Sequence, residues 1–234
     1  MFKKKMEKLN IPTHIAFIMD GNRRWAVQRG LPKSVGHKYG AIALKNIIND
    51  INEIDGIKYV SVFGFSTENW KRDKKEIDYL FEVCYDMIRD YEKDFLEKNI
   101  KFVAMGEIER FPDKLKGVIV DVEEKTKNNT GLVVNLALSY GGRSDIVHAV
   151  KQAIANGEEI SEETISKNLY SASAPDIDLL VRTSGEMRVS NFMLYQMAYS
   201  EFYFPKVHWP SFDKKQLYKA LKAYTKRNRR FGGQ

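Results

Sequence analysis

The sequence predicts an α/β fold: a mostly parallel central sheet of about six strands with helices on both faces, in a single domain over residues 1–234. Three observations carry that expectation. Short apolar runs of strand length alternate with longer segments of helical periodicity. The first run, Ile15 to Met19, is five apolar residues long, short enough for a buried strand. Polar, Gly-containing stretches follow the runs, at what would be the carboxyl edge of a parallel sheet, where such sheets bind ligands.

Strands are expected at 14–19, 57–65, 100–105, 131–138, 177–182 and 200–204. The clearest helix is 75–98, where Ile77, Leu80, Phe81, Cys84, Ile88, Tyr91 and Phe95 share one face. A second is 37–54, with Ala41, Leu44, Ile47, Ile48, Ile51 and Ile54. Both stripes read first as core. Further helices are expected at 113–127, 143–155 and 213–228, with Pro112 and Gly131 marking element ends. The chain shows no repeat, low-complexity tract or linker.

Lys and Arg number 38 against 31 Asp and Glu, a formal net charge of +7. That excess suits an anionic partner: phosphate esters, nucleic acid or an acidic membrane surface. Cys84 is the only cysteine, which excludes an internal disulfide and a Cys-based zinc site and fits a reducing cytoplasm. No apolar run approaches the roughly 18 residues of a membrane span. The basic N-terminus lacks the apolar stretch of a signal peptide. A soluble protein that could rest against a membrane is expected.

The chemistry concentrates in the loops after the strands. Asp20-Gly21-Asn22-Arg23-Arg24-Trp25 follows the first strand. Backbone N–H groups and Arg forks attract phosphate. An Asp beside such a pocket is repelled by phosphate unless Mg²⁺ lies between them. The segment reads as a Mg²⁺-pyrophosphate site or as an ordinary βα turn with Asp as a helix cap. Arg182 and Arg188 bracket a Gly turn with Ser190 beyond, a set suited to a second diphosphate or a pair of surface arginines. His37 could donate to phosphate, move a proton or cap its helix. Ser66, Glu68, Asn69 and Trp70 form a loop that could close over substrate, or a polar turn. Glu201, amid aromatics, is a buried ion-pair partner or a second metal ligand. His14, His148 and His208 lack metal-ligand spacing and receive no role. Walker A, Gly-x-Gly-x-x-Gly, Gly-x-Ser-x-Gly and His-Glu-x-x-His patterns are absent, as is any Asp-Asp pair.

Taken in order, several stretches resemble the cis-prenyltransferases, in particular bacterial undecaprenyl diphosphate synthases. They are His14 to Trp25, Gly36 to Gly40, Phe65 to Trp70, Asn135 to Arg143, Asp178 to Glu186, Arg188 to Asn191, Glu201 to Phe204 and Arg229 to Gly233. The resemblance implies an enzyme that adds isopentenyl diphosphate repeatedly to an allylic diphosphate, usually farnesyl diphosphate, each new double bond being cis. By similarity Asp20 holds Mg²⁺, and Glu201 is a further carboxylate near the metal. Gly21, Asn22, Arg23, Arg24 and Trp25 belong to the allylic diphosphate site, with Lys33 and His37 nearby. Arg182, Arg188 and Ser190 bind isopentenyl diphosphate. Ser66, Glu68, Asn69, Trp70, Arg72 and Glu76 belong to a loop linking the substrates. Asp20, His37, Asn69 or the diphosphate itself assists the departing proton. The growing hydrocarbon needs an apolar tunnel, for which the two helical stripes supply candidate walls and Ala41 and Ala43 leave room. The resemblance also implies a homodimer in which Arg230-Phe231-Gly232 completes the partner's site. It implies a cell-wall glycan carrier as product and peripheral membrane contact for its release. Three positions depart from the pattern: Lys33 where Arg is common, Asp73 where Pro often stands, and Met187 where a polar residue can adjoin the metal.

Two rivals remain. A non-catalytic subunit of this fold tends to lose the first-loop Asp and Arg, which are intact here. A nucleic-acid-binding protein explains the charge but requires an exposed aromatic platform. Trp25 and Trp70 instead sit in turn motifs, so no nucleic acid is expected.

Overall fold

The structure, a computed structural model, describes residues 9–227. The expected role of Arg230 and the Arg-x-Gly terminus lies outside those residues. Six strands form one sheet: β1 His14–Ile18, β2 Tyr59–Ser66, β3 Lys101–Met105, β4 Val133–Tyr140, β5 Leu179–Arg182 and β6 Glu201–Tyr203. Their order is β3-β4-β2-β1-β5-β6, and every pairing is parallel. Each connection is therefore a crossover; helices lie in all of them except β5 to β6, which the irregular 183–200 segment makes. These are α1 Asn22–Val27, α2 Lys33–Asn52, α3 Lys74–Glu97, α4 Asp113–Thr126, α5 Gly142–Ala155, α6 Glu162–Asn168 and α7 Lys214–Thr225.

Alternate residues of β1 face opposite layers. Ile15 and Phe17 join Val60 and Val62 beneath α2, α3, α4 and α7. Ala16 and Ile18 face the other way, against Phe192, Met193 and Met197 of the 183–200 segment. Beyond that segment Asp145 of α5 is buried, accepting from Tyr140 Oη at 2.7 Å and from the Tyr170 N–H at 2.9 Å. His14 is wholly buried at the amino end of β1. Its Nδ1 lies 2.7 Å from the Pro175 carbonyl and its Nε2 2.8 Å from Ser61 Oγ. Burial lowers its pKa to about 4 against a weaker raising effect of the Pro175 carbonyl, so the ring is neutral at pH 7.

The expected elements are present with adjusted ends. The second helix begins at Lys33, four residues before 37, because Pro32 (φ −55°) leads straight into it. The helix α6 was not expected. It is seven residues long with only Ile165 buried, so it carries no apolar stripe. Its signal is the cap: Ser161 Oγ accepts from the Thr164 N–H at 3.1 Å. Residues Thr67–Lys71 form a 3₁₀ turn closed by a capping box between Ser66 and Asn69.

The α3 stripe splits in two. Ile77, Ile88, Tyr91 and Phe95 are core. Leu80, Phe81, Cys84 and Met87 instead line an apolar cavity of about 90 Å³ between α3, α2 and the sheet. Burial in this wall raises the Cys84 thiol to about 12, so it is an unreactive apolar group. Ala41 lines the cavity as expected, whereas Ala43 is core. Against this wall α1 docks on α2 through two glycines. A Cβ on Gly36 would lie 2.0 Å from the Asn22 carbonyl oxygen, and one on Gly40 would lie 2.5 Å from Asn22 Oδ1.

Gly36→Ala should therefore force α1 off α2, at a cost of about 1–3 kcal/mol, measured as a drop in thermal midpoint of several degrees. A midpoint equal to the parent's would contradict the close approach. His14 gives a pH signature. Its folded pKa lies below the unfolded value, so the unfolded state binds the proton first as pH falls. The His14 contribution to stability is present above pH 6.5 and lost toward pH 4. Urea midpoints across that window should fall more steeply for the parent than for His14→Gln.

Candidate functional site

The site is assembled at the carboxyl edge of the sheet by strand register. Ile18 of β1 pairs with Arg182 of β5, so Asp20 and Arg182 leave the sheet side by side. Arg182 is only 4 % exposed. Its Nη2 donates to Asp20 Oδ2 at 3.0 Å, and its Nη1 donates to Ser190 Oγ at 2.7 Å and to the Arg188 carbonyl at 2.6 Å. The other Asp20 oxygen accepts from Arg24 Nη2 at 2.9 Å. Partial burial opposes ionisation of Asp20, but the Arg182 and Arg24 guanidiniums outweigh it and hold the carboxyl below its usual range. The Asp20 main chain is fixed as well. Its carbonyl accepts from Thr183 Oγ1 at 2.6 Å, Ser184 Oγ at 2.9 Å and the Trp209 N–H at 3.0 Å.

Glu186 links the two expected phosphate-binding groups. It accepts from Arg24 at 2.6 Å with Oε1 and from Arg188 at 2.5 Å with Oε2. Arg188 and Arg24 together hold its carboxyl low. Gly21, at φ +98°, turns the chain where a Cβ would collide with Ser184 Oγ at 2.0 Å and His208 Nδ1 at 2.6 Å. Several non-glycine residues around this edge also hold left-handed backbone: Ser139, Ser184, Ser190, Asn191 and Met193. Such conformations concentrate at functional sites and need support from their surroundings.

A cavity of about 680 Å³ opens over this cluster. Asp20, Asn22, His37, Arg182 and Ser190 border it on one side, and Ser66, Glu68, Asn69 and Arg72 on the other. A smaller recess of about 320 Å³ adjoins it, bordered by Gly21, Arg23 and Arg24. Three buried polar atoms on the large cavity's border have no hydrogen-bond partner among the described residues: Asn22 Oδ1, His37 Nε2 and Arg182 Nε. Unsatisfied groups of that kind belong where a ligand or water completes them. Burial, helped by the nearby Arg72 charge, lowers the His37 pKa to about 4, so this imidazole is neutral at pH 7. Asn22 and His37 also border the 90 Å³ apolar cavity.

The loop over the cavity is tied down from both ends. Glu76 accepts from Arg72 at 3.0 Å and from Arg23 at 3.4 Å, joining the loop to α1. Glu68 accepts from Asn191 at 3.0 Å, and Trp70 Nε1 donates to Ser139 Oγ at 3.0 Å. The Trp70 ring packs against Phe65, Phe81 and Phe111, in the wall rather than the cavity. Asn69 Oδ1 accepts the Ser66 N–H at 3.0 Å, so in this state its side chain shapes the turn.

Three expected site residues stand apart from the cluster. Trp25 is buried between α1 and α2, where its ring lies 4.8 Å from that of Tyr39 and its Nε1 donates to Ser211 Oγ at 2.7 Å. Its helical position turns it away from the phosphate side. Lys33 is exposed at the start of α2. Glu201 opens β6 in register with Leu179, three residues behind Arg182. At roughly 3.3 Å per strand residue that is about 10 Å back from the edge. Its neighbour there is Arg227 Nε at 3.7 Å. Within one chain Glu201 and Asp20 are not brought together, and no group of three or more His, Cys, Asp or Glu that could hold a metal occurs among the described residues. The structure adds Thr183, Ser184, Glu186, Asn191 and His208 to the site. All but His208 follow Arg182 closely in sequence. His208 carried no signal, because only folding brings it to Gly21.

Residues 18–232 match the prenyltransferase family described as "Putative undecaprenyl diphosphate synthase". An isoprenyl transferase of Fusobacterium nucleatum is 48% identical, the match covering 97% of this chain and 98% of that protein. One from Clostridium tetani is 44% identical, over 99% of this chain and 93% of the relative. Among solved structures, lavandulyl diphosphate synthase from Lavandula x intermedia, in complex with dimethylallyl diphosphate, superposes with a TM-score of 0.90 at 36% identity, covering 94% of this chain and 98% of that one. A probable undecaprenyl diphosphate synthase from Campylobacter jejuni gives 0.82, also at 36% identity, over 96% of this chain and all of that one (100%). The sheet order, the loops it gathers and these matches agree: the chain belongs to the undecaprenyl diphosphate synthase family of prenyltransferases and has the cis-prenyltransferase fold.

Proposed function

We propose that this protein condenses isopentenyl diphosphate repeatedly onto farnesyl diphosphate, forming cis double bonds, and releases a long polyprenyl diphosphate. Undecaprenyl diphosphate, used as a cell-wall glycan carrier, is the proposed product. The observation that carries this reading is the junction of two cavities of opposite character. A polar, charged one, bordered by Arg72, Arg182, Asp20 and Glu68 and holding unsatisfied Asn22, His37 and Arg182 atoms, adjoins an apolar one walled by α2 and α3. A prenyl diphosphate has the same two halves. Arg182 and Ser190, with Arg188, are assigned to isopentenyl diphosphate. Gly21, Asn22, Arg23 and Arg24 are assigned to the allylic diphosphate. The apolar cavity is the start of the proposed hydrocarbon tunnel.

Asp20 fits a Mg²⁺ shared with a diphosphate. Mg²⁺ takes one or two protein carboxylates and completes its shell with phosphate oxygens and water. One ionised carboxylate beside cationic phosphate-binding groups is that kind of donor set. When bound, the metal would help neutralise charge on the departing diphosphate. The arginines do the same from the protein side, preorganised by Asp20, Ser190 and Glu186. The allylic C–O bond breaks, the alkene of isopentenyl diphosphate forms the new C–C bond, and one proton leaves the adjacent carbon. Neutral His37, ionised Asp20, the Asn69 amide or the released diphosphate receives or relays that proton. The loop of Ser66 to Arg72, latched by Glu68 and Glu76, excludes water from the cation.

A cytoplasmic homodimer is proposed, with product release at a membrane. The β6 edge supports the dimer, since it is the outer strand and leaves Phe202 and nearby Tyr199 exposed. Glu201 and the terminal Arg230 would act in that context.

Incubation with farnesyl diphosphate, labelled isopentenyl diphosphate and Mg²⁺ should give a ladder ending at a long product, abolished by chelator. A folded protein that incorporates no label would overturn the catalytic reading in favour of a supporting subunit. Asp20→Asn keeps an acceptor for Arg182 but removes the charge. Turnover should fall roughly 10²–10³-fold with an unchanged circular dichroism spectrum. Parent-level turnover would remove Asp20 from the metal and diphosphate site.

A further inference from the structure

The outer face of the α1–α2 hairpin is both apolar and cationic. From Gly21 to Asn49 the chain has no Asp or Glu but has six basic residues: Arg23, Arg24, Arg29, Lys33, Lys38 and Lys45. Arg23, Arg24 and Lys45 are ion-paired with other elements. Arg29, Lys33 and Lys38 are exposed, with no ion pair among the described residues. Between them four apolar side chains face solvent: Val27 at 55%, Leu31 at 37%, Tyr39 at 45% and Ile42 at 48%. Single exposed apolar residues need no explanation, but a cluster does.

Contacts link the two helices on this face. The Arg29 guanidinium lies 4.3 Å over the Trp25 ring, which meets the Tyr39 ring at a tilt with centroids 4.8 Å apart. The Leu31 N–H donates to the Ala26 carbonyl at 3.0 Å, folding Leu31 back against α1. Tyr39 and Ile42 are neighbours one turn apart on α2. The opposite side of α2, through Gly40, Ala41 and Leu44, lines the apolar cavity.

We propose that this face docks on a bilayer bearing anionic phospholipids. Val27, Leu31, Tyr39 and Ile42 would enter the boundary between headgroups and acyl chains. Arg29, Lys33 and Lys38 would lie at the headgroups. Charge decides the occupant. A second copy docked through the same face would set Arg29, Lys33 and Lys38 against their own counterparts. A nucleic acid would use the cations, but it would find a single exposed ring, Tyr39, since Val27, Leu31 and Ile42 offer no stacking surface and Trp25 is buried. An anionic membrane uses both halves. The proposal builds on the membrane contact suggested above by naming its surface. Vesicle binding needs no substrate, so its outcome is separate from that of the prenyl-transfer assay.

The test is flotation of the full chain with vesicles of phosphatidylcholine alone or in equal parts with phosphatidylglycerol. The parent should float with the anionic vesicles only, and less as salt is raised. Lys38→Glu should weaken binding about fivefold or more, the effect of a basic residue near such a surface. The double variant Leu31→Ser, Ile42→Ser should weaken it at least as much. Both should keep the parent's circular dichroism and its prenyl-transfer activity in detergent. The assignment is overturned by a parent that does not float, by equal binding to neutral vesicles, or by folded variants that bind like the parent through another surface. Loss of oligonucleotide binding in the same variants, without loss of flotation, would give the face to nucleic acid instead.

Discussion

The ion pair between Asp20 and Arg182 fixes the working edge of this protein. Arg182 ends β5 almost fully buried, and a guanidinium in that position needs a partner with good geometry. Parallel register supplies one by placing β1 beside β5, so that Asp20 emerges within 3.0 Å. The same aspartate reaches Arg24 through its other oxygen and anchors the turns at Thr183, Ser184 and Trp209 through its carbonyl. Loops that follow three different elements are thereby held in one arrangement.

Much of this was legible in the sequence because parallel α/β folds write their signals locally. A buried strand such as Ile15–Ile18 is an apolar run, and a covering helix such as α3 repeats its apolar residues every turn. The ligand edge follows from where each strand stops. The helix α6 was not legible because one buried residue, Ile165, makes no period. The division of the α3 stripe between core and cavity was also hidden. Leu80 and Ile88 are equally apolar, and only packing decides which of them meets empty space.

The site was legible in its composition more than in its geometry. Asp20, Arg182 and Ser190 converge as their positions after strands implied, and His37 joins them from α2. Trp25 shared their motif yet turned inward, because neighbouring residues on a helix point in different directions. Glu201 began a strand where the others followed one, which puts it at the far end of the sheet from Asp20. His208 reached Gly21 across a long stretch of chain, and spacing could not reveal that contact.

The position of Glu186 between Arg24 and Arg188 has a consequence for selectivity. The resting protein does not offer bare positive charge to solvent at these two arginines, since each already holds a carboxylate oxygen. A weakly charged anion, such as chloride or a single carboxylate, gains little by displacing an internal carboxylate of equal charge. A diphosphate brings more charge and more acceptor oxygens, and so can outcompete it. Under the proposed function the built-in carboxylate would act as a threshold, keeping abundant small anions from the arginines that the diphosphates need.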